Sequence, residues 1–267
     1  TICPVFGDEY GFKRLLNEET VSWNAIHGTT IGTSTYVAVA GTLGSVWMLD
    51  EHLQRWEDLS LDSGVELKGV YVADGHNLAI CGQDGLLRRH MVRTEGADPS
   101  WRFDDGSTGI TSLLNDIHGT DIRHMWTVGD SATAIRLAGD SWTTYKGAQL
   151  GLPADSTASL LTVYMVTEDE VYIGGEGVLI HGLDGTFTAN TSDFEGYTLY
   201  DIYVSNGEVW IGASNASIFH ILSDGTIERH QPNTYSQFRS LWVGPSGLVL
   251  AAGYMPPPIM WRYDGND

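Results

Sequence analysis

Short apolar runs broken by polar turns recur along the whole chain, and no amphipathic helical pattern interrupts them. A five-residue signature opens each unit: an apolar residue, two variable ones, an apolar residue, then His or an aromatic. It reads WNAIH (23–27), LKGVY (67–71), LNDIH (114–118), LLTVY (160–164), LYDIY (199–203) and FRSLW (238–242). The second apolar positions, Ile26, Val70, Ile117, Val163, Ile202 and Leu241, are spaced by 44, 47, 46, 39 and 39 residues. A polar turn and a second strand ending in small residues follow each signature, as in TYVAVAG, NLAICG, MWTVGD and VYIGG. Small residues there are expected where backbones crowd as the units converge on an axis. A third strand comes next, then a tight turn that is Asp-Gly at Asp184-Gly185, Asp224-Gly225 and Asp264-Gly265. Asp-Gly suits a two-residue hairpin because both residues can take positive φ. A fourth strand closes the unit, as in SWTTY, TFTAN and TIERH.

Four strands every 39 to 47 residues predict an all-β, six-bladed β-propeller of four-stranded antiparallel blades. The whole chain reads as one domain, with blades at about 22–60, 65–104, 110–147, 157–191, 196–231 and 236–267. The last unit has three strands and stops at WRYDGND, while GFKRLL (11–16) precedes the first signature at the distance of a fourth strand. Residues 12–16 are therefore expected to join the C-terminal blade beside Ile259–Tyr263, with 1–10 as an extension. Such closure would remove an exposed sheet edge. Seven blades is the alternative, with CPVFGDEYGFKRLL as a second and third strand; it leaves no room for a fourth before Trp23.

The segment MWTVGDSATAIRLAGDSWTTY (125–145) resembles the blade repeat of bacterial secreted propellers, of the myxobacterial surface and photosystem II assembly-factor types. Those repeats carry an aromatic-x-Val-Gly-Asp/Glu strand end, an apolar strand, then Gly-x-x-Trp. The resemblance implies an exported propeller in an extracellular or envelope setting, and it implies no catalysis. No Trp-Asp dipeptide ends the third strands, so the WD-repeat pattern does not apply.

Composition narrows the functional classes. Apolar residues are 42% of the 267, Gly numbers 32, and the formal charge is −20 from 14 basic and 34 acidic residues. A surface this negative repels phosphate backbones and anionic lipid, so neither nucleic acid nor a membrane is an expected partner. No apolar run reaches the length of a membrane-spanning helix. No signal peptide is legible at Thr1, as in a cytosolic chain or a mature form. Of the two cysteines, Cys81 sits in an apolar strand and is expected to be a free buried thiol; a bridge to Cys3 is the other reading.

The first candidate site is the ring of residues that end the signatures: His27, Tyr71, His118, Tyr164, Tyr203 and Trp242. If the first strand of each blade lines the axis, these six take equivalent places around it. Their rings either fill the wedges between blades or contact a ligand at a channel mouth, and two imidazoles could hold a metal. The second candidate is a set of loop carboxylates, Asp104, Asp105 and Asp130, whose oxygens would suit Ca²⁺; Asp in a turn also serves the turn itself. No cofactor is otherwise indicated. His-Glu-x-x-His, Gly-x-Ser-x-Gly and a phosphate-binding loop are all absent from the sequence. The reading is a non-enzymatic surface recognition or scaffolding module with a protein or glycan partner. A propeller hydrolase, lyase or lactonase and a virion or surface-assembly subunit are the alternatives.

Overall fold

Six antiparallel sheets follow one another along the chain, each built of consecutive strands in sequence order. The computed structural model describes residues 20–50, 55–91, 100–103, 109–232, 236–244, 246–254 and 259–263. The first strands of the sheets are Trp23–Ile31, Leu67–Val72, Leu114–Asp121, Leu160–Thr167, Leu199–Ser205 and Gln237–Val243. Each of the first five packs beside the first strand of the next sheet, and the six form the inner wall of a six-bladed propeller. Five blades have four strands; the sixth has three among the described residues. The expected closing strand, 12–16, lies outside the described residues, as do Cys3 and residues 255–258 with their three prolines.

Apolar side chains from adjacent blades interlock at five junctions. Leu67, Val70 and Ile80 of the second blade pack on Ala38, Val46 and Met48 of the first. Equivalent clusters join the second blade to the third, the third to the fourth, the fourth to the fifth and the fifth to the sixth. The second apolar residue of the signature belongs to these clusters: Val70, Ile117, Val163, Ile202 and Leu241 are 2–7% exposed. Ile26 is 72% exposed, and among the described residues no cluster links the sixth blade to the first.

Small residues at the ends of the second strands answer a crowding within each blade more than the expected crowding between blades. A Cβ on Gly41, Gly82, Gly129 or Gly175 would lie 2.1–2.3 Å from the backbone oxygen of Ser22, Glu66, Leu113 or Ser159, each just before its own first strand. A register irregularity between first and second strands brings these backbones together. Gly212 instead meets the next blade's backbone, at Phe238 O, 2.8 Å from a built Cβ, as does Gly85 just beyond its strand, at Ile110 O. The Asp-Gly turns also divide. Asp184 and Gly185 both have positive φ, 49° and 76°, as a two-residue hairpin needs. At 224–225 only Gly225 does, and Leu222 and Thr226 close a longer loop by backbone hydrogen bonds.

No helix of the described residues is long and apolar enough to cross a membrane. Cys81 is a free, buried thiol whose pKa burial pushes up.

Candidate functional site

The six inner strands surround a central cavity of about 790 Å³, and all six signature-ending residues line it. Five of their rings run in a row round the wall. Ring centroids are 4.9 Å apart for His27 and Tyr71, 5.6 Å for Tyr71 and His118, 4.4 Å for His118 and Tyr164, and 5.5 Å for Tyr164 and Tyr203. His118 and Tyr164 are stacked, with 21° between their planes. Trp242 stands apart from that row and is 48% exposed.

The two histidines hold the ring together. His27 Nδ1 accepts the backbone N–H of Val72 at 3.1 Å, and His118 Nδ1 accepts that of Met165 at 3.1 Å. Each bond crosses from one blade to the next. An acceptor Nδ1 fixes the neutral tautomer with its proton on Nε2, and occupies the nitrogen that a metal would otherwise use. Burial lowers the pKa of His27 to about 4 and that of His118 to about 3, the second helped by His27 nearby.

Two inner-strand carboxylates, Asp116 and Asp201, do the same work and were not singled out in the sequence. Asp116 Oδ2 accepts the Val163 N–H at 2.9 Å and its Oδ1 that of Ile117 at 2.8 Å. Asp201 Oδ2 accepts the Leu241 N–H at 2.6 Å. The hydroxyls of Thr162 and Ser240 also donate to Asp116 and Asp201 respectively. Burial pushes Asp116 up to about 6 and Asp201 up to about 7; the backbone donors oppose the rise but do not cancel it. The signal was present: an Asp inside an apolar inner strand, in LNDIH and LYDIY, is out of place unless paired.

Among side chains of the inner strands these ties alternate round the ring, while farther out Arg89 of the second blade donates to Ile122 O of the third at 3.1 Å. Asn24 and His27 reach from the first blade to the second, Asn115, Asp116 and His118 from the third to the fourth, and Tyr200 and Asp201 from the fifth to the sixth. Each starts on an odd-numbered blade and ends on the next even one. The third signature position follows suit: Asp116 and Asp201 are answered by Thr162 and Ser240, whereas Ala25 is answered by Gly69.

One mouth of the channel carries polar side chains from the second signature position. Lys68 Nζ lies 2.7 Å from Glu66 Oε1, and the Arg239 guanidinium sits 4.5 Å from the Tyr200 ring centroid. Burial pushes Tyr164 up to about 12 and Tyr71 higher still, so both keep their protons and remain hydrogen-bond donors at neutral pH.

The loop carboxylates fare differently. Asp104 and Asp105 lie outside the described residues. Asp130 Oδ1 accepts from Asn115 Nδ2 at 3.1 Å and from the Ser159 hydroxyl. Among the described residues, two groups of three potential metal ligands converge, and Asp130 is in neither: Asp121, His124 and Glu168, and His220, Glu228 and His230. Both combine residues from different strands or turns, and linear spacing does not advertise them.

No family model matches the chain, and no curated protein does. Solved structures do match. One is the extracellular domain of a putative hybrid two-component system from B. thetaiotaomicron, with TM-score 0.63 and 13% identity over 90% of this chain. Another, described as the extracellular domain of a putative one-component system from B. thetaiotaomicron, gives TM-score 0.65 and 14% identity over 92%. This chain spans about a third of their length, 33% and 34%. At such identity the likeness is one of fold: a propeller. It does not extend to the myxobacterial or assembly-factor repeat type that residues 125–145 resemble.

Proposed function

We propose that this propeller is an extracellular recognition module that binds a glycan in its central channel. The row of five rings in a concave cavity of about 790 Å³, with the half-exposed Trp242 lining the same cavity, carries the reading. A cavity of that size falls in the range used for small ligands, whereas protein partners favour flatter surfaces. Aromatic faces stack on the C–H faces of sugar rings, and the protonated Tyr71 and Tyr164 hydroxyls supply donors. The titratable groups of the channel that would serve catalysis, His27, His118, Asp116 and Asp201, are already bonded to backbone amides. That engagement favours recognition over turnover. The exterior setting is supported by the extracellular origin of the structural neighbours.

The test is a glycan array followed by calorimetry on W242A and Y203L. A glycan bound by the native chain, and at least tenfold more weakly by either variant at unchanged melting temperature, is the expected result. No glycan binding, or binding indifferent to both substitutions, overturns it; a protein partner would then be the occupant to seek.

A further inference from the structure

His220, Glu228 and His230 stand on one face of the fifth blade. Strand register places His220 directly opposite Glu228, and His230 follows Glu228 by two residues, which returns it to the same face. One nitrogen of each His and one carboxylate oxygen of Glu228 lie within 4.8 Å of one another. On its other flank His220 is paired with Trp210, their rings stacked at 3.7 Å with 13° between planes. His220 Nε2 lies 2.9 Å from Glu208 Oε2.

An Nε2–H donated to Glu208 leaves a lone pair on His220 Nδ1. That nitrogen is buried with no hydrogen-bond partner, on a residue only 6% exposed. His230 Nε2 is buried without one too, 4.0 Å from Glu228 Oε2. Rings from the sixth blade close over the group, with Tyr263 5.2 Å and Trp261 6.4 Å from the His230 ring. Two unmet imidazole nitrogens in an aromatic wedge are unfavourable unless something accepts their lone pairs.

The fourth blade supplies an internal comparison. There Glu170, His181 and Tyr172 repeat the unit, with His181 Nε2 3.0 Å from Glu170 and the rings stacked at 4.3 Å. Its fourth strand, however, sets Thr188 opposite His181 and Asn190 opposite Leu179. The carboxylate–histidine–aromatic unit is thus shared by the fourth and fifth blades. What the fifth blade adds is Glu228 and His230, in the places of Thr188 and Asn190.

We propose that His220, His230 and Glu228 bind a divalent transition-metal ion of the zinc class in the wedge between the fifth and sixth blades, with Glu208 orienting His220. Two imidazoles and one carboxylate suit such an ion, whereas Ca²⁺ and Mg²⁺ prefer oxygen alone. A carboxylate on the far nitrogen of a ligating His is the usual support for the ring. Zinc holds its ligands at about 2.0–2.2 Å, so binding draws the three side chains inward from their 4.8 Å envelope.

The experiment is Zn²⁺ titration of the chelator-treated full chain against a chromophoric competitor, with Co²⁺ absorption as a second readout. The expected result is one equivalent bound, a raised melting temperature, and a tetrahedral Co²⁺ spectrum. E228Q and H230Q should each weaken Zn²⁺ binding at least tenfold, E208Q by about tenfold, and H181Q not at all. Glu228 is half exposed, so E228Q tests the site without emptying the core. Absence of stoichiometric binding overturns the proposal, as does equal affinity in E228Q, H230Q and the native chain. Loss of binding in H124Q instead would place the ion at the Asp121, His124 and Glu168 group and overturn it equally.

Discussion

His118 Nδ1 accepts the backbone N–H of Met165 at 3.1 Å, so one imidazole joins the inner strands of the third and fourth blades. Phe at this position would keep the stack on Tyr164 but leave the buried N–H unmet, at a cost of about 1–3 kcal/mol. Asn offers a carbonyl acceptor in the same place. H118F should therefore be less stable than H118N in urea denaturation, although Phe is the more apolar residue.

The channel histidines and carboxylates titrate with opposite signs. His27 and His118 have folded pKa values of about 4 and about 3, below the ordinary 6.5, so their contribution is complete above 6.5 and is lost as pH falls towards those values. Asp116 and Asp201 have folded values of about 6 and about 7, above the ordinary 3.8, so their contribution is complete below 3.8 and is lost as pH rises through 6 and 7. Between about pH 4 and 6 each group contributes up to about 1.4 kcal/mol per pH unit, two against two. D116N/D201N should lose stability on acidification more steeply than the native chain over that window, and H27N/H118N less steeply. Denaturant midpoints at half-unit pH steps measure both slopes; parallel curves for all three proteins would refute the opposition.

Gly129 has no space for a side chain, since a built Cβ would stand 2.1 Å from Leu113 O. The obstacle is backbone and cannot rotate away. G129A should destabilise the third blade by about 3 kcal/mol or more, measured as a shift in thermal unfolding. An Ala in place of Gly139 would meet open space and leave only its φ of 66° to contend with.

Ile26 and Ile117 hold the same position in the signature but not the same burial, 72% against 2% exposed. I117A should cost about 2–5 kcal/mol, as for a core aliphatic cut to Ala, and I26A less than about 1 kcal/mol. Equal costs would show that Ile26 is covered by a part of the chain outside the described residues.

Much of the architecture could be read from the sequence, because a blade repeats its apolar pattern and the pattern sets the period. Ile117 and Val163 announce two blades by spacing alone. The placement of His27, Tyr71, His118, Tyr164, Tyr203 and Trp242 round one cavity was legible for the same reason. What each ring does there was not. Whether His118 faces a ligand or the Met165 amide depends on how two blades are set against each other, and that rotation leaves no trace in linear spacing. The group at His220, Glu228 and His230 escaped notice because two of its members meet only across a hairpin, and its enclosing rings come from another blade.

The ties that start on odd-numbered blades and end on even ones give the ring a three-part grain under its six-part outline. Its elementary tile is a doublet: a donor-reading blade bearing Asp or His, then a receiving blade with a small or hydroxylic residue to match. A chain lengthened or shortened by a single repeat would bring two like blades face to face and set a second carboxylate where Thr162 or Ser240 now answers the first. Enlargement or contraction of this ring, by evolution or by design, should go in steps of two.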